Sequence, residues 1–95
     1  MNAAQIWSKF GGLIDNNEKW LLVDLHKVDD VRASKPVKNT RFPYQVMMND
    51  TEQSLPVQFR SLNNARAFFL GEMDHIKFQE LLANNSARMF FGRAT

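Results

Sequence analysis

The chain has 95 residues, a length that allows one hydrophobic core and excludes the several domains of a large enzyme. Hydrophobic residues make up 44% of it and charged residues 23%, which is typical of a soluble globular domain and not of a disordered or fibrous chain. Twelve Lys and Arg against ten Asp and Glu give a net charge of +2, too small to require a polyanionic partner. We therefore expect a single domain over residues 1–95.

Cysteine content and targeting signals narrow the class further. The chain contains no cysteine, which excludes disulfides, thiolate nucleophiles and zinc sites built on sulfur. Its first residues lack the basic and apolar segments of a secretory signal, and no stretch approaches the roughly eighteen apolar residues of a membrane span. We expect a cytoplasmic protein without a membrane partner.

Apolar side chains recur at helical spacing near the N-terminus. At about 100° per residue one side of a helix over residues 3–14 is apolar, and it carries Ala3, Ile6, Trp7, Phe10, Leu13 and Ile14. The Gly11–Gly12 pair marks a point at which this helix weakens or ends. Such a helix either packs on the protein's own sheet or presents Ile6, Trp7 and Phe10 to a partner. Its polar side carries one charge, Lys9, which disfavours a membrane surface.

The next apolar segment lies within residues 19–31. A strand here places Leu21, Val23 and Leu25 on one face. A helix is the alternative, because Asp15 and Glu18 stand at the spacing of a capping box.

Two segments in the middle of the chain alternate with the period of a strand. The apolar positions of these segments are Phe42, Tyr44, Val46 and Met48, then Leu55, Val57 and Phe59. Gln45 lies between apolar positions of the first segment, the pattern of a strand with one buried face. The turn-forming residues between the segments predict a hairpin.

The last third of the chain contains two similar segments, residues 63–71 and 84–92, which we interpret as two core strands, the second near residues 87–92. Between them Asp74 is placed to cap a helix over residues 74–84. If both strands share a sheet, the connection is long enough for a parallel crossover. The predicted fold class is α+β, with an N-terminal amphipathic helix, a mostly antiparallel sheet of about five strands, and one C-terminal helix followed by a final strand.

Candidate catalytic groups are few. His26 and His75 are the only histidines, and Asp24 would share a strand face with His26. No serine lies in a nucleophile elbow, no acidic or histidine spacing matches a known metal loop, and Gly11–Gly12 lacks the lysine of a phosphate-binding loop. We expect no catalytic, metal or cofactor-binding residue, and therefore no enzyme and no cofactor.

A basic segment before the first hairpin strand is the strongest candidate site. Arg32, Lys35, Lys38 and Arg41 occur without an intervening acidic residue, and Phe42 and Tyr44 follow at once. Cations beside aromatic rings are typical of single-stranded nucleic-acid binding. The alternative interpretation is a solvated loop followed by core aromatic residues.

These features predict a small non-enzymatic binding module, an accessory or inhibitor protein that acts through contacts with another protein. The alternative is a single-stranded nucleic-acid-binding protein that uses residues 32–41 and the adjacent aromatic residues. The sequence leaves self-association open.

Overall fold

The computed structural model describes residues 2–28, 40–49 and 56–89. In chain order its elements are α1 (Ala3–Lys9), β1 (Leu13–Asn16), β2 (Trp20–Asp24), a 3-10 helix (Leu25–Lys27), β3 (Tyr44–Met48), β4 (Val57–Phe59), α2 (Leu62–Phe69), α3 (His75–Ala83) and β5 (Ala87–Met89). The predicted α+β class is confirmed. Within these ranges, no helix has the length and apolar character needed to cross a membrane.

The five strands form one antiparallel sheet in the order β1-β2-β3-β4-β5. The predicted pairing of the two middle segments is confirmed, since Val46 of β3 lies opposite Val57 of β4. Strands β4 and β5 also pair, although α2 and α3 lie between them in the chain. The antiparallel pairing of β5 excludes the parallel crossover that the sequence suggested.

The three α-helices among the described residues end in the same way. The residue after each C-cap has a positive φ, and the next N–H bonds back to a carbonyl in the last turn, which is a Schellman motif. The positive-φ residues are Gly11, Gly71 and Asn85, with φ of 87°, 73° and 63°. Glycine has no Cβ to clash in this conformation and asparagine tolerates it, so these three positions determine where the helices stop.

The N-terminal helix is shorter than its apolar spacing predicts. It ends at Lys9, and Leu13 and Ile14 belong to β1 instead. Gly12 explains the change, because its carbonyl accepts a hydrogen bond of 2.8 Å from the Asp24 backbone. A Cβ at Gly12 would lie 2.8 Å from Cγ2 of Val28 and 3.1 Å from the carbonyl oxygen of Asp24, so the chain passes this close to the end of β2 only with glycine here.

The prediction of a strand over residues 63–71 is wrong, since Leu62–Phe69 is the helix α2. The Ser61 side chain accepts a hydrogen bond from the backbone of Asn64, and Gly71 closes the other end. Buried Ala65 and Phe69 lie on one side of this helix. The cap at each end and this spacing outweigh the strand propensity of adjacent phenylalanines.

The other C-terminal elements agree with prediction. Helix α3 is capped by Asp74, whose Oδ1 accepts a hydrogen bond of 2.7 Å from the Lys77 backbone. The final strand is Ala87–Met89, and residues 90–92 of the predicted strand lie outside the described residues. The sheet therefore has five strands as expected. However, it includes β1, which was not predicted, and it does not include residues 63–71.

The segment over residues 19–31 is a strand only as far as Asp24, and residues 29–31 lie outside the described ranges. The carboxylate of Asp24 accepts a hydrogen bond of 2.9 Å from the His26 backbone and caps the 3-10 helix. The chain therefore leaves the sheet at this aspartate. The strand interpretation holds for Trp20–Asp24, and the helical alternative is wrong there.

Each sheet face is covered differently. One face, here called the helix-covered face, packs against α2 and α3 and contributes Leu22, Val46, Val57, Phe59 and Ala87 to a hydrophobic core. The opposite face contributes Leu21, Val23 and Met47 to a second core. Residues of α1 cover that second core, which lies at the β1–β2 side of the sheet.

Candidate binding site: the polar row and the arginine pair

Part of the opposite face is polar beyond β2, although Met47 of β3 still belongs to the second core. Val23 of β2 is followed across the sheet by Gln45, Gln58 and Arg88, which are cross-strand partners and form the polar row. Gln45 and Gln58 are only 7% and 5% exposed. The prediction that β3 has one buried face is therefore wrong, because both its faces are buried and one contains amides.

The two buried amides are oriented by the arginine at the end of the row. Arg88 Nε donates to Gln58 Oε1 at 2.8 Å, and arginine has no acceptor, so Gln58 must present its oxygen there. Gln58 Nε2 then donates to Gln45 Oε1 at 2.8 Å, and Gln45 Nε2 donates to Met47 Sδ at 3.3 Å. Within the described ranges, every buried side-chain nitrogen and oxygen has a partner.

Phe42 lies beside the charged end of this row. The residue is 5% exposed, and the guanidinium carbons of Arg88 and Arg60 lie over its ring, 4.4 Å and 4.9 Å from the ring centroid. Both distances are within the range of a cation–π contact. We refer to Arg60 and Arg88 as the arginine pair. Tyr44, which the sequence placed with Phe42, packs instead against the core of the helix-covered face.

Each member of the arginine pair is held by a neutral partner. Arg60 Nε donates at 2.8 Å to the carbonyl of Asn85, the positive-φ residue that ends α3. Arg88 Nη2 lies 3.4 Å from Thr40 Oγ1, in addition to its bond to Gln58. A turn of the helical layer and a buried amide therefore position two exposed cations.

Thr40 connects this site to the end of β2. Its Oγ1 accepts a hydrogen bond of 3.1 Å from the Phe42 backbone, and its carbonyl lies 2.9 Å from His26 Nε2. The backbone of Leu25 donates to the carbonyl of Pro43 at 2.7 Å. The 3-10 helix and the segment before β3 are thus joined beside the arginine pair.

The predicted nucleic-acid residues have different positions. Arg41 is exposed and directly precedes Phe42. Phe42 and Tyr44 are buried and half-buried, respectively. Arg32, Lys35 and Lys38 lie outside the described residues.

Of the predicted partner-binding residues, Ile6 and Trp7 lie in α1 and Phe10 is its C-cap. Trp7 and Phe10 pack against the second core, with their ring centroids 6.1 Å apart. Ile6 is half-buried. Two of these three side chains therefore contribute to the protein's own packing.

Asp24 and His26 do not share a strand face as predicted. Asp24 is buried and bonds to the His26 backbone, while the His26 ring contacts Thr40. Among the described residues, no group of three His, Cys, Asp or Glu side chains is placed to hold a metal ion.

The sequence analysis missed Gln58, Arg60 and Arg88 as site residues. The signal was present in β4, because the alternation that buries Val57 and Phe59 on one face puts Gln58 and Arg60 on the other. The alternation does not predict the register between β4 and β5, which places Arg88 next to Gln58.

No family model, curated protein or solved structure matches the chain. The fold and the site define a small α+β protein in which two buried amides lie beside two exposed arginines. Its function is therefore inferred from the geometry of this site.

Proposed function

We propose that the chain is a non-enzymatic binding module, an accessory or inhibitor protein that contacts an acidic segment of another protein through the arginine pair. One observation carries the proposal. Arg60 and Arg88 lie over a single ring, and their partners among the described residues are Gln58, Thr40, Phe42 and the carbonyl of Asn85, none of which is negatively charged.

The restraint on both arginines supports a binding role. A free arginine side chain loses up to about 2 kcal/mol of rotamer entropy when it is fixed in a complex. Here the Phe42 ring, Gln58 and Asn85 already restrict the two guanidinium groups. Preorganised arginines are favourable anchors for protein partners because part of this entropy is lost on folding and not on binding.

The placement of the acid and base candidates also favours binding over catalysis. Asp24 caps the 3-10 helix, and His26 Nε2 lies against a backbone carbonyl. Both groups therefore serve local structure, and neither is paired with a nucleophile among their described contacts.

Single-stranded nucleic acid is the second candidate, favoured by exposed Arg41 and by the basic residues Arg32, Lys35 and Lys38 that precede it. Base stacking on Phe42 would require the arginine pair to move, because two guanidinium groups lie over the ring. A protein partner needs no such rearrangement.

Fluorescence anisotropy with labelled oligoglutamate, oligothymidylate and a neutral Gly/Ser peptide tests the proposal. We expect oligoglutamate to bind and the neutral peptide not to bind. Arg60→Met combined with Arg88→Met should weaken oligoglutamate binding at least about tenfold, since buried or restrained charge pairs at interfaces contribute about 1.4 kcal/mol or more.

The matched control combines Lys9→Met with Lys77→Met, which removes the same charge from exposed positions on α1 and α3. This control should retain most of the binding. Equal losses in both double variants would overturn the proposal, as would no oligoglutamate binding. Tighter binding of oligothymidylate, with a salt slope of about −0.7 per phosphate contact, would favour the nucleic-acid function instead.

A further inference from the structure

We infer that the arginine pair is a binding site for a phosphate monoester dianion, carried by a phosphorylated serine or threonine of the partner protein. This inference rests on the proposed function and names the group that anchors the partner. Three properties of the pair support it: its charge, the hydrogen-bond donors that remain available and the restraint of the two side chains.

The two positive charges of the site favour a ligand with two negative charges. Both guanidinium carbons lie within 5 Å of the Phe42 centroid, so they are less than about 10 Å apart, the Debye length at about 0.1 M salt. The two positive charges therefore repel, and their described partners do not neutralise them. A phosphate monoester has a charge of about −1.5 to −2 at neutral pH, close in magnitude to the charge of the pair, whereas one carboxylate has a charge of −1.

The available donors point to the same group. The Nε atoms of Arg60 and Arg88 donate to Asn85 and Gln58, and Arg88 Nη2 faces Thr40. Both terminal nitrogens of Arg60 and Nη1 of Arg88 make no hydrogen bond to another described residue. A phosphate monoester offers three acceptor oxygens, which equals the number of these nitrogens. Arginine also binds phosphate through paired N–H groups more readily than lysine does.

The surroundings strengthen this recognition. The buried Phe42 side chain lies against both guanidinium groups. Charge-assisted hydrogen bonds are stronger where the local dielectric is reduced. The buried Gln45–Gln58 pair holds Arg88 from the other side, so the site needs little rearrangement to accept its ligand.

The test uses one short Gly/Ser-rich peptide with a central serine, phosphoserine or glutamate. We expect the phosphoserine peptide to bind at least about tenfold more tightly than the glutamate peptide, and the serine peptide not to bind. Inorganic phosphate should compete with it. The advantage over glutamate should fall as pH drops below about 6, where the phosphate gains a proton.

Two double variants distinguish the effect of guanidinium geometry on phosphoserine binding from the effect of positive charge. Arg60→Lys combined with Arg88→Lys keeps the charge and should bring the phosphoserine and glutamate affinities within about twofold of each other. The Lys9→Met and Lys77→Met control should keep the preference for phosphoserine. In the wild-type protein, the side-chain N–H resonances of ¹⁵N-labelled Arg60 and Arg88 should shift with phosphoserine peptide, a measurement that needs no variant to fold.

The outcomes distinguish this inference from the proposed function. Equal binding of the glutamate and phosphoserine peptides would overturn the phosphate site and leave the acidic partner intact. Binding of neither peptide, together with no oligoglutamate binding, would overturn both. Binding of inorganic phosphate without the phosphopeptide would overturn a phosphorylated protein as the source. Tighter binding of oligothymidylate or of phosphatidylserine vesicles would do the same.

Discussion

The two faces of the sheet are held by different forces. On the helix-covered face, Phe59 is fully buried and its ring packs against those of Phe68 and Phe78, with centroids 5.5 Å and 6.4 Å away. Beyond β2 the opposite face also contains directional hydrogen bonds, which join Gln45, Gln58 and Arg88. Apolar packing stabilises the fold without selecting a ligand, whereas the oriented amides place charges at defined positions.

The largest expected effect comes from replacing one phenylalanine on each side of the sheet with alanine. Phe59→Ala should lower the free energy of unfolding by about 3–5 kcal/mol, because it leaves a cavity among fixed apolar neighbours. Phe42→Ala should cost at least about 1 kcal/mol less, since flexible arginine side chains can collapse into the space left by the ring. Urea unfolding followed by circular dichroism measures both values. A larger loss for Phe42→Ala would contradict the contrast between the faces.

A smaller effect is expected from the polar row. Gln58→Met keeps the side-chain volume but leaves the Gln45 oxygen buried without its donor, which should cost about 1–3 kcal/mol. Replacing both residues, Gln45→Met with Gln58→Met, removes both ends of that hydrogen bond and should be less destabilising than Gln58→Met alone.

The double-mutant cycle in urea unfolding checks this expectation, with Gln45→Met as the second single variant. Additive losses in the double variant would show that the amides do not act as a pair. The same variants should weaken binding of oligoglutamate, because Gln58 holds Arg88 in place. Unchanged oligoglutamate binding by Gln58→Met would show that the polar row does not contribute to the binding site.

Much of the fold follows from the sequence by elementary rules. The alternation in β3 and β4 predicts their pairing, and Asp74 predicts the start of α3. The error over residues 63–71 has a definite cause: Ser61 and Gly71 frame a helix, but the adjacent phenylalanines suggest a strand. At Gly11 the helix-ending signal likewise competes with apolar spacing that continues past the true end of α1.

The site was less accessible to sequence reasoning. Burial of Gln45 depends on Gln58 and Arg88, which lie 13 and 43 positions further along the chain and meet it only through strand register. Register between β4 and β5 depends in turn on α2 and α3, which lie between them. A polar residue in a strand is ordinarily exposed, so period-two alternation cannot identify a buried amide whose partners come from other strands.

The smallest expected effect concerns Asn85, which links the helical layer to the arginine pair. Its φ of 63° lies in the left-handed region, and its carbonyl accepts from Arg60. Asn85→Gly keeps that carbonyl and relieves the conformation, so unfolding free energy should change by only a few tenths of a kcal/mol. Asn85→Val places a β-branched side chain there and should cost about 1–2 kcal/mol. Urea unfolding distinguishes the two variants, and oligoglutamate affinity should fall only with valine, because only that change displaces the turn that holds Arg60. Equal stability of both variants would show that the conformation of this turn does not depend on the shape of the side chain at position 85. A loss of oligoglutamate affinity with glycine would show that the Asn85 side chain itself belongs to the site.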